Sequence, residues 1–191
     1  LVNRSINGDL YPPGSIFKVI TAAAALSSGE YTEDSMLPGP AVLELPGTTA
    51  SLPNMFPGAC GANDKVSFTR AMAISCNTAF ASVGMDIGAD ALRAQAEKFG
   101  FGDSLSVPMR VTPSTIPAAL NMPQLAQSSI GQFDVRVTPL QMAMVVLTGY
   151  VVATSPPVAR LITRLAQVPK SSSSAVSFVA LLPCSVSFLN W

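Results

Sequence analysis

Ser15 and Lys18 stand three residues apart in the run Y-P-P-G-S-I-F-K (Tyr11 to Lys18), and Lys18 is the only charged residue between Asp9 and Glu30. On a helix that spacing puts both side chains on one face, so the serine hydroxyl and the lysine amine come within reach of each other. A serine hydroxyl is a poor nucleophile until a base takes its proton. The sequence contains no histidine, which excludes a Ser-His-Asp triad and leaves a Ser-Lys pair as the available variant. An apolar setting and the positive end of a helix dipole both favour a neutral amine, the form a general base needs. The competing reading is structural: a serine after Pro-Gly is a common helix cap, and a single lysine can run its ammonium out to water. A capping box wants Glu or Gln three residues after the cap, where this chain has lysine.

A second polar group lies in Ser75-Cys76-Asn77, inside R-A-M-A-I-S-C-N-T-A-F. Ser75 can both accept and donate a proton, which suits a relay to a leaving amine, and the Asn77 carboxamide suits a grip on a peptide-like amide of a substrate. Alone, the triplet reads equally as a capped helix-helix turn. An oxyanion formed on attack needs preorganised N–H donors, and the Ser15 backbone N–H is a candidate.

The elements that must position these residues follow from the pattern. The run S-I-F-K-V-I-T-A-A-A-A-L (Ser15 to Leu26) is apolar nearly all round, so it reads as a helix buried on every side, stopped before by Pro12, Pro13 and Gly14 and closed by Gly29. Residues 30–66 carry Pro, Gly, Thr and the alternation V-L-E-L (Val42 to Leu45), which predicts loops with a small hairpin. Residues 67–100 read as mostly helical, with the Ser75 corner between two helical stretches and Gly100 and Gly102 at the end. Residues 103–123 read as Pro-rich loop, and Thr138-Pro139 as the cap and first position of another helix.

Taken together, these stretches resemble a penicillin-binding protein transpeptidase domain of the monofunctional class B, actinobacterial type. N-R-S-I-N-G-D-L-Y-P-P-G-S-I-F-K-V-I, S-C-N-T-A-F, G-A-D-A-L-R-A-Q-A-E-K-F-G-F-G (Gly88 to Gly102), A-Q-S-S-I-G-Q (Ala126 to Gln132) and V-R-V-T-P-L-Q-M-A (Val135 to Ala143) carry the resemblance. S-x-x-K followed by S-x-N is two thirds of the motif set of these proteins and of class A β-lactamases. The resemblance implies an α+β fold, an antiparallel sheet flanked by helices, of which this chain holds mostly the helical part. It also implies Ser15 as acyl-serine, Lys18 as its base, and Ser75 and Asn77 as the second motif. By the same resemblance the substrate is the D-Ala-D-Ala end of a peptidoglycan stem peptide, and β-lactams acylate the same serine. The setting is the extracytoplasmic face of a bacterial membrane, among cell-wall synthesis machinery.

The third motif, K-[ST]-G, is not found. Lys170-Ser171-Ser172 lacks the glycine and Leu147-Thr148-Gly149 lacks the lysine. After about Val145 the text departs from the family, and Val137 to Trp191 holds no acidic residue. The expected division is therefore a partial transpeptidase domain over 1–145 and a tail over 146–191 that is frame-shifted or disordered. A piece so truncated is expected to be inactive alone, with the Ala22 to Leu26 side of the first helix uncovered. Two rivals remain: a serine β-lactamase or β-lactam sensor module, and a non-functional gene fragment. A class A lactamase needs a downstream Glu to activate water, and no Glu follows Glu97.

Composition narrows the classes further. Eleven basic and 11 acidic residues balance to zero net charge, so there is no electrostatic footprint for nucleic acid. Hydrophobic residues make up 49%, yet the most apolar runs, Leu140 to Ala153 and Val176 to Leu189, fall short of the about 20 residues that span a bilayer. A membrane anchor is expected upstream. No cofactor or metal set is expected, since the three cysteines are dispersed. Cys60 and Cys76 can be read either as a disulfide tethering the loop to the Ser75 corner or as two free thiols.

Overall fold

The computed structural model describes residues 2–105 and 109–154, with side chains described as far as Thr148. Helix α1 (Lys18–Ser28) is entered through a single 3-10 turn, Gly14–Phe17, and closed by Gly29 in the left-handed conformation at the C-cap. Antiparallel strands follow: β1 (Met36–Pro38), β2 (Val42–Glu44), β3 (Ser51–Pro53) and β4 (Lys65–Ser67). β1 pairs with β4, and β2 with β3 in the expected small hairpin, Leu43 opposite Leu52. The alternation holds, since Leu45 and Leu52 point inward while Val42 and Glu44 are exposed. Among the described residues no sheet exceeds two strands, in line with the expected α+β class weighted to helix.

Helices α2 (Phe68–Ala73) and α3 (Asn77–Lys98) flank the Ser75 corner. α3 breaks at Gly88, whose backbone leaves the helical region. Helix α4 (Met122–Ser128) falls where the sequence reading placed loop and then an unassigned strap. It starts from a reciprocal capping box between Asn121 and Gln124, with Pro123 in its first turn. The N-M-P-Q run was a helix signal that four nearby prolines obscured. Helix α5 (Pro139–Thr154) opens as expected, Thr138 Oγ1 accepting from the Gln141 N–H at 3.1 Å. It runs through Val145 without interruption, across the expected boundary between 145 and 146, and residues 155–191 lie outside those described.

Two packed clusters hold these elements. One joins Ala22 and Ala25 to Leu37, Leu52, Val66, Phe68 and Phe80; the other joins Phe17 and Ile20 to Leu92, Phe101, Val135, Met142 and Val145. α1 contributes to both and is the shared wall between them. Two expectations for α1 are corrected. The helix is not buried on every side, because Ile16 before it and Leu26 at its end are 44% and 40% exposed. Nor is its alanine side open: Ala22, Ala24 and Ala25 are buried, and Leu26 alone of that side is exposed. Small alanines let α1 and α3 approach closely enough to cover that face themselves.

Candidate acyl-transfer site

Lys18 is 1% exposed and draws the four expected residues together. Its Nζ lies 3.1 Å from Ser15 Oγ, 2.8 Å from Ser75 Oγ, 2.8 Å from the Ser75 carbonyl oxygen and 2.7 Å from Asn77 Oδ1. The cap reading of Ser15 fails on geometry: the residue is inside the 3-10 turn, Pro13 holds the N-cap position, and no side chain caps either segment. Ser15 itself is exposed, so its hydroxyl meets solvent on one side and the buried amine on the other.

Burial lowers the Lys18 pKa from 10.5 to about 8. The four oxygens around Nζ solvate an ammonium and oppose that shift. Among the described residues no carboxylate pairs with Lys18, so dipoles alone supply that opposition. The acceptor set also fixes where a lone pair points. The Ser75 carbonyl and Asn77 Oδ1 can only accept, so a neutral amine donates its two hydrogens to them. Its lone pair is then left for a hydroxyl, and Ser15 Oγ is the exposed one.

Ser75 owes this dual contact to its backbone. At φ 55° it lies in the left-handed region that a non-glycine residue seldom visits, and there its carbonyl and hydroxyl both reach Lys18. Such a conformation costs on the order of 1–3 kcal/mol and persists only where its surroundings impose it. Cys76 imposes part of it. It is joined by a disulfide to Cys60, which settles the alternative left open by the sequence, and it caps α3 by accepting from the Ala79 N–H. Asn77 is 9% exposed, with Oδ1 on Lys18 and Nδ2 donating to the Pro53 carbonyl at 3.1 Å. One Nδ2 hydrogen remains for a substrate; the rest of the carboxamide orients the lysine.

Sequence reasoning assigned no role to Gly131. This residue (φ 74°) lies beneath the turn that carries Ser15, accepting from the Gly14 N–H at 2.9 Å. A Cβ on Gly131 would stand 2.0 Å from the Gly14 carbonyl oxygen and 2.8 Å from Phe17 Cβ. Thr21 Oγ1 donates to the Ser129 carbonyl at 2.7 Å and secures the same strap to α1. The signal was present in A-Q-S-S-I-G-Q as a lone glycine after two serines, too common a pattern to read. A hollow of about 340 Å³ lined by Tyr31, Met36, Leu37, Pro38, Ser82, Val83 and Asp86 lies away from these residues and includes none of the four.

Comparison with known proteins identifies the family. The family model for the penicillin binding protein transpeptidase domain matches residues 1–150. The peptidoglycan D,D-transpeptidase PbpA of Mycolicibacterium smegmatis is 44% identical over 149 residues, covering 78% of this chain and 30% of that protein. The Escherichia coli K12 peptidoglycan D,D-transpeptidase MrdA is 35% identical over 102 residues, covering 53% of this chain and 16% of that protein. The solved penicillin-binding protein A from M. tuberculosis, as a ceftriaxone acyl-enzyme complex, superposes with a TM-score of 0.73 at 44% identity, covering 78% of this chain and 33% of that one. The chain thus spans about a third of the length of the first two actinobacterial proteins it matches. A second family model, the short chain fatty acid transporter, matches residues 121–191, under half of the chain. The described part of that stretch is packed into the core above, with Leu125, Met142 and Val145 against Phe17 and Phe101. Among the described residues no helix is long and apolar enough to cross a membrane.

Proposed function

Since this chain belongs to the penicillin binding protein transpeptidase domain family, we propose that its Ser15–Lys18–Ser75–Asn77 cluster performs acyl transfer from the D-Ala-D-Ala end of a peptidoglycan stem peptide. The observation that carries the reading is the single amine in hydrogen-bond reach of both hydroxyls and the carboxamide. Lys18 Nζ takes the Ser15 proton as Oγ attacks the carbonyl carbon of the penultimate D-Ala. The oxyanion settles on backbone N–H donors, the Ser15 N–H among them. Collapse breaks the C–N bond, and the proton passes from Lys18 through Ser75 Oγ to the leaving D-Ala amine. An amine from a neighbouring stem then attacks the ester, Lys18 accepts its proton, and as the C–O bond breaks that proton passes to Ser15 Oγ, leaving the new amide and the free serine. A β-lactam acylates the same oxygen, with ring opening in place of departure.

The proposed setting is the extracytoplasmic face of the cell membrane, together with cell-wall synthesis proteins. The transpeptidase part is proposed to occupy residues 1–145 and the tail beyond to take no share in the chemistry. Because K-[ST]-G is not in the sequence, these 191 residues alone are proposed to acylate slowly, on the order of 10²–10³ below a protein holding all three motifs, which is the cost of one lost oxyanion donor. Absence of a downstream Glu favours a long-lived ester over lactamase turnover. The test is extended incubation with a fluorescent penicillin followed by peptide mapping. We expect slow labelling confined to Ser15 and absent from Ser15→Ala, without steady release of hydrolysed drug. Label that persists in Ser15→Ala, or no label on any residue, would overturn the assignment.

A further inference from the structure

Asn54, at the turn after β3, spends its whole carboxamide inside the protein. Oδ1 accepts from the backbone N–H groups of Asn77 at 3.1 Å and Thr78 at 3.2 Å. Nδ2 donates to the carbonyls of Pro40 at 2.9 Å and Gly58 at 3.1 Å. The assignment is unambiguous, because a flipped amide would set N–H against N–H and oxygen against oxygen. Two of the N–H groups left without partners at the start of α3 are thereby satisfied from another part of the chain.

The next residue back completes the grip. The Pro53 carbonyl accepts from Asn77 Nδ2, so adjacent residues of one turn hold both the main-chain and the side-chain N–H of Asn77. With its nitrogen pinned to Pro53, the carboxamide can only turn Oδ1 toward Lys18. We propose that Asn54 is a positioning residue for the acyl-transfer centre, locking Asn77 with its carbonyl oxygen on the Lys18 amine. This rests on the function proposed above, but its test does not use that activity.

A purely structural cap and a positioning residue differ in what they do to Lys18. Losing a cap lowers stability wherever the cap is. Losing Asn54 also frees the Asn77 carboxamide to turn, which takes Oδ1 away from the Lys18 ammonium and lowers its pKa further. The groups facing that amine are Ser15, Ser75 and Asn77, and among the described residues no carboxylate joins them, so no other ionisation confuses the reading. The experiment is ¹³C NMR titration of the lysine side chains in the purified protein, whose four lysines are Lys18, Lys65, Lys98 and Lys170. Asn54→Ala should lower the Lys18 midpoint by about one pH unit, a tenfold change in its ionisation ratio. Asn121→Ala, which removes the cap of α4, should leave it in place. Should Asn54→Ala fail to fold, Asn54→Ser keeps a small polar group that cannot reach both N–H groups, and it should lower the midpoint in the same direction. An unmoved Lys18 midpoint in either folded variant, or an equal shift in Asn121→Ala, would overturn the proposal. If the midpoint moves as expected while Ser15 takes no penicillin, the positioning network stands and the acyl-transfer reading falls.

Discussion

Raising the pH should stabilise this protein, through Lys18. The amine is held at about 8 in the folded chain against its ordinary value of 10.5. Below pH 8 both states carry the proton, and the folded state bears the full cost of a buried ammonium. Between pH 8 and 10.5 the unfolded chain binds the proton and the folded chain does not, so stability rises with pH. From pH 7 to 9.5 those two values give a gain of about 2 kcal/mol. Tyr31, pushed up to about 12 chiefly by burial, with its bond to Asp86 adding to this, acts in the opposite sense only above about pH 10, so the window is clear of it. The assay is urea unfolding at pH 7 and pH 9.5 for the parent and for Lys18→Met, whose difference isolates the lysine. The parent should gain about 2 kcal/mol more than the variant. The same ionisation sets the acylation rate, which should rise roughly fivefold from pH 7 to 8 and level off above about pH 9. A stability difference that is flat or falling over this interval would refute the claim that burial governs Lys18.

Two further outcomes follow from the parts that hold the centre. Gly131→Ala places a Cβ in the left-handed region and against the Gly14 carbonyl; it should cost at least about 2 kcal/mol in denaturant unfolding and abolish Ser15 labelling in whatever fraction stays folded. Reducing Cys60–Cys76, which closes a loop of sequence separation 16, should cost about 3 kcal/mol and slow labelling with it; a reduced protein that melts and labels like the oxidised one would show that Ser75 holds its backbone unaided.

The four residues gathered around the Lys18 amine were legible in the sequence because each is chemically out of place. A lone lysine in an apolar helix and a polar corner between two helices advertise themselves by contrast. The hairpin at Val42 and the α5 start at Thr138 were legible by pattern, since alternation and the Thr-Pro pair carry their own geometry. What escaped was the support. Asn54 is an asparagine in a Pro-Gly loop, where asparagine is the ordinary turn residue, and only folding reveals that its amide reaches residues 77 and 78. Gly131 escaped for the same reason: its value lies in the Gly14 carbonyl across from it, a partner 117 positions away in the chain. The capping box of α4 was local, and it was missed because the prolines before and within it suggested loop.

Lys18 finds one acceptor three residues away and the others at separations of 57 and 59. This makes the amine a check on how α1 is seated against α3. A slide of one helical turn, about 5.4 Å, would keep much of the alanine contact between the two helices, because alanine faces are nearly interchangeable. It would also carry the ammonium away from Ser75 and Asn77 into surroundings with no acceptor, at a cost of several kcal/mol. The residue best suited to take a proton is thus also the one that excludes mis-seated packings, and an apolar replacement would relax both constraints together.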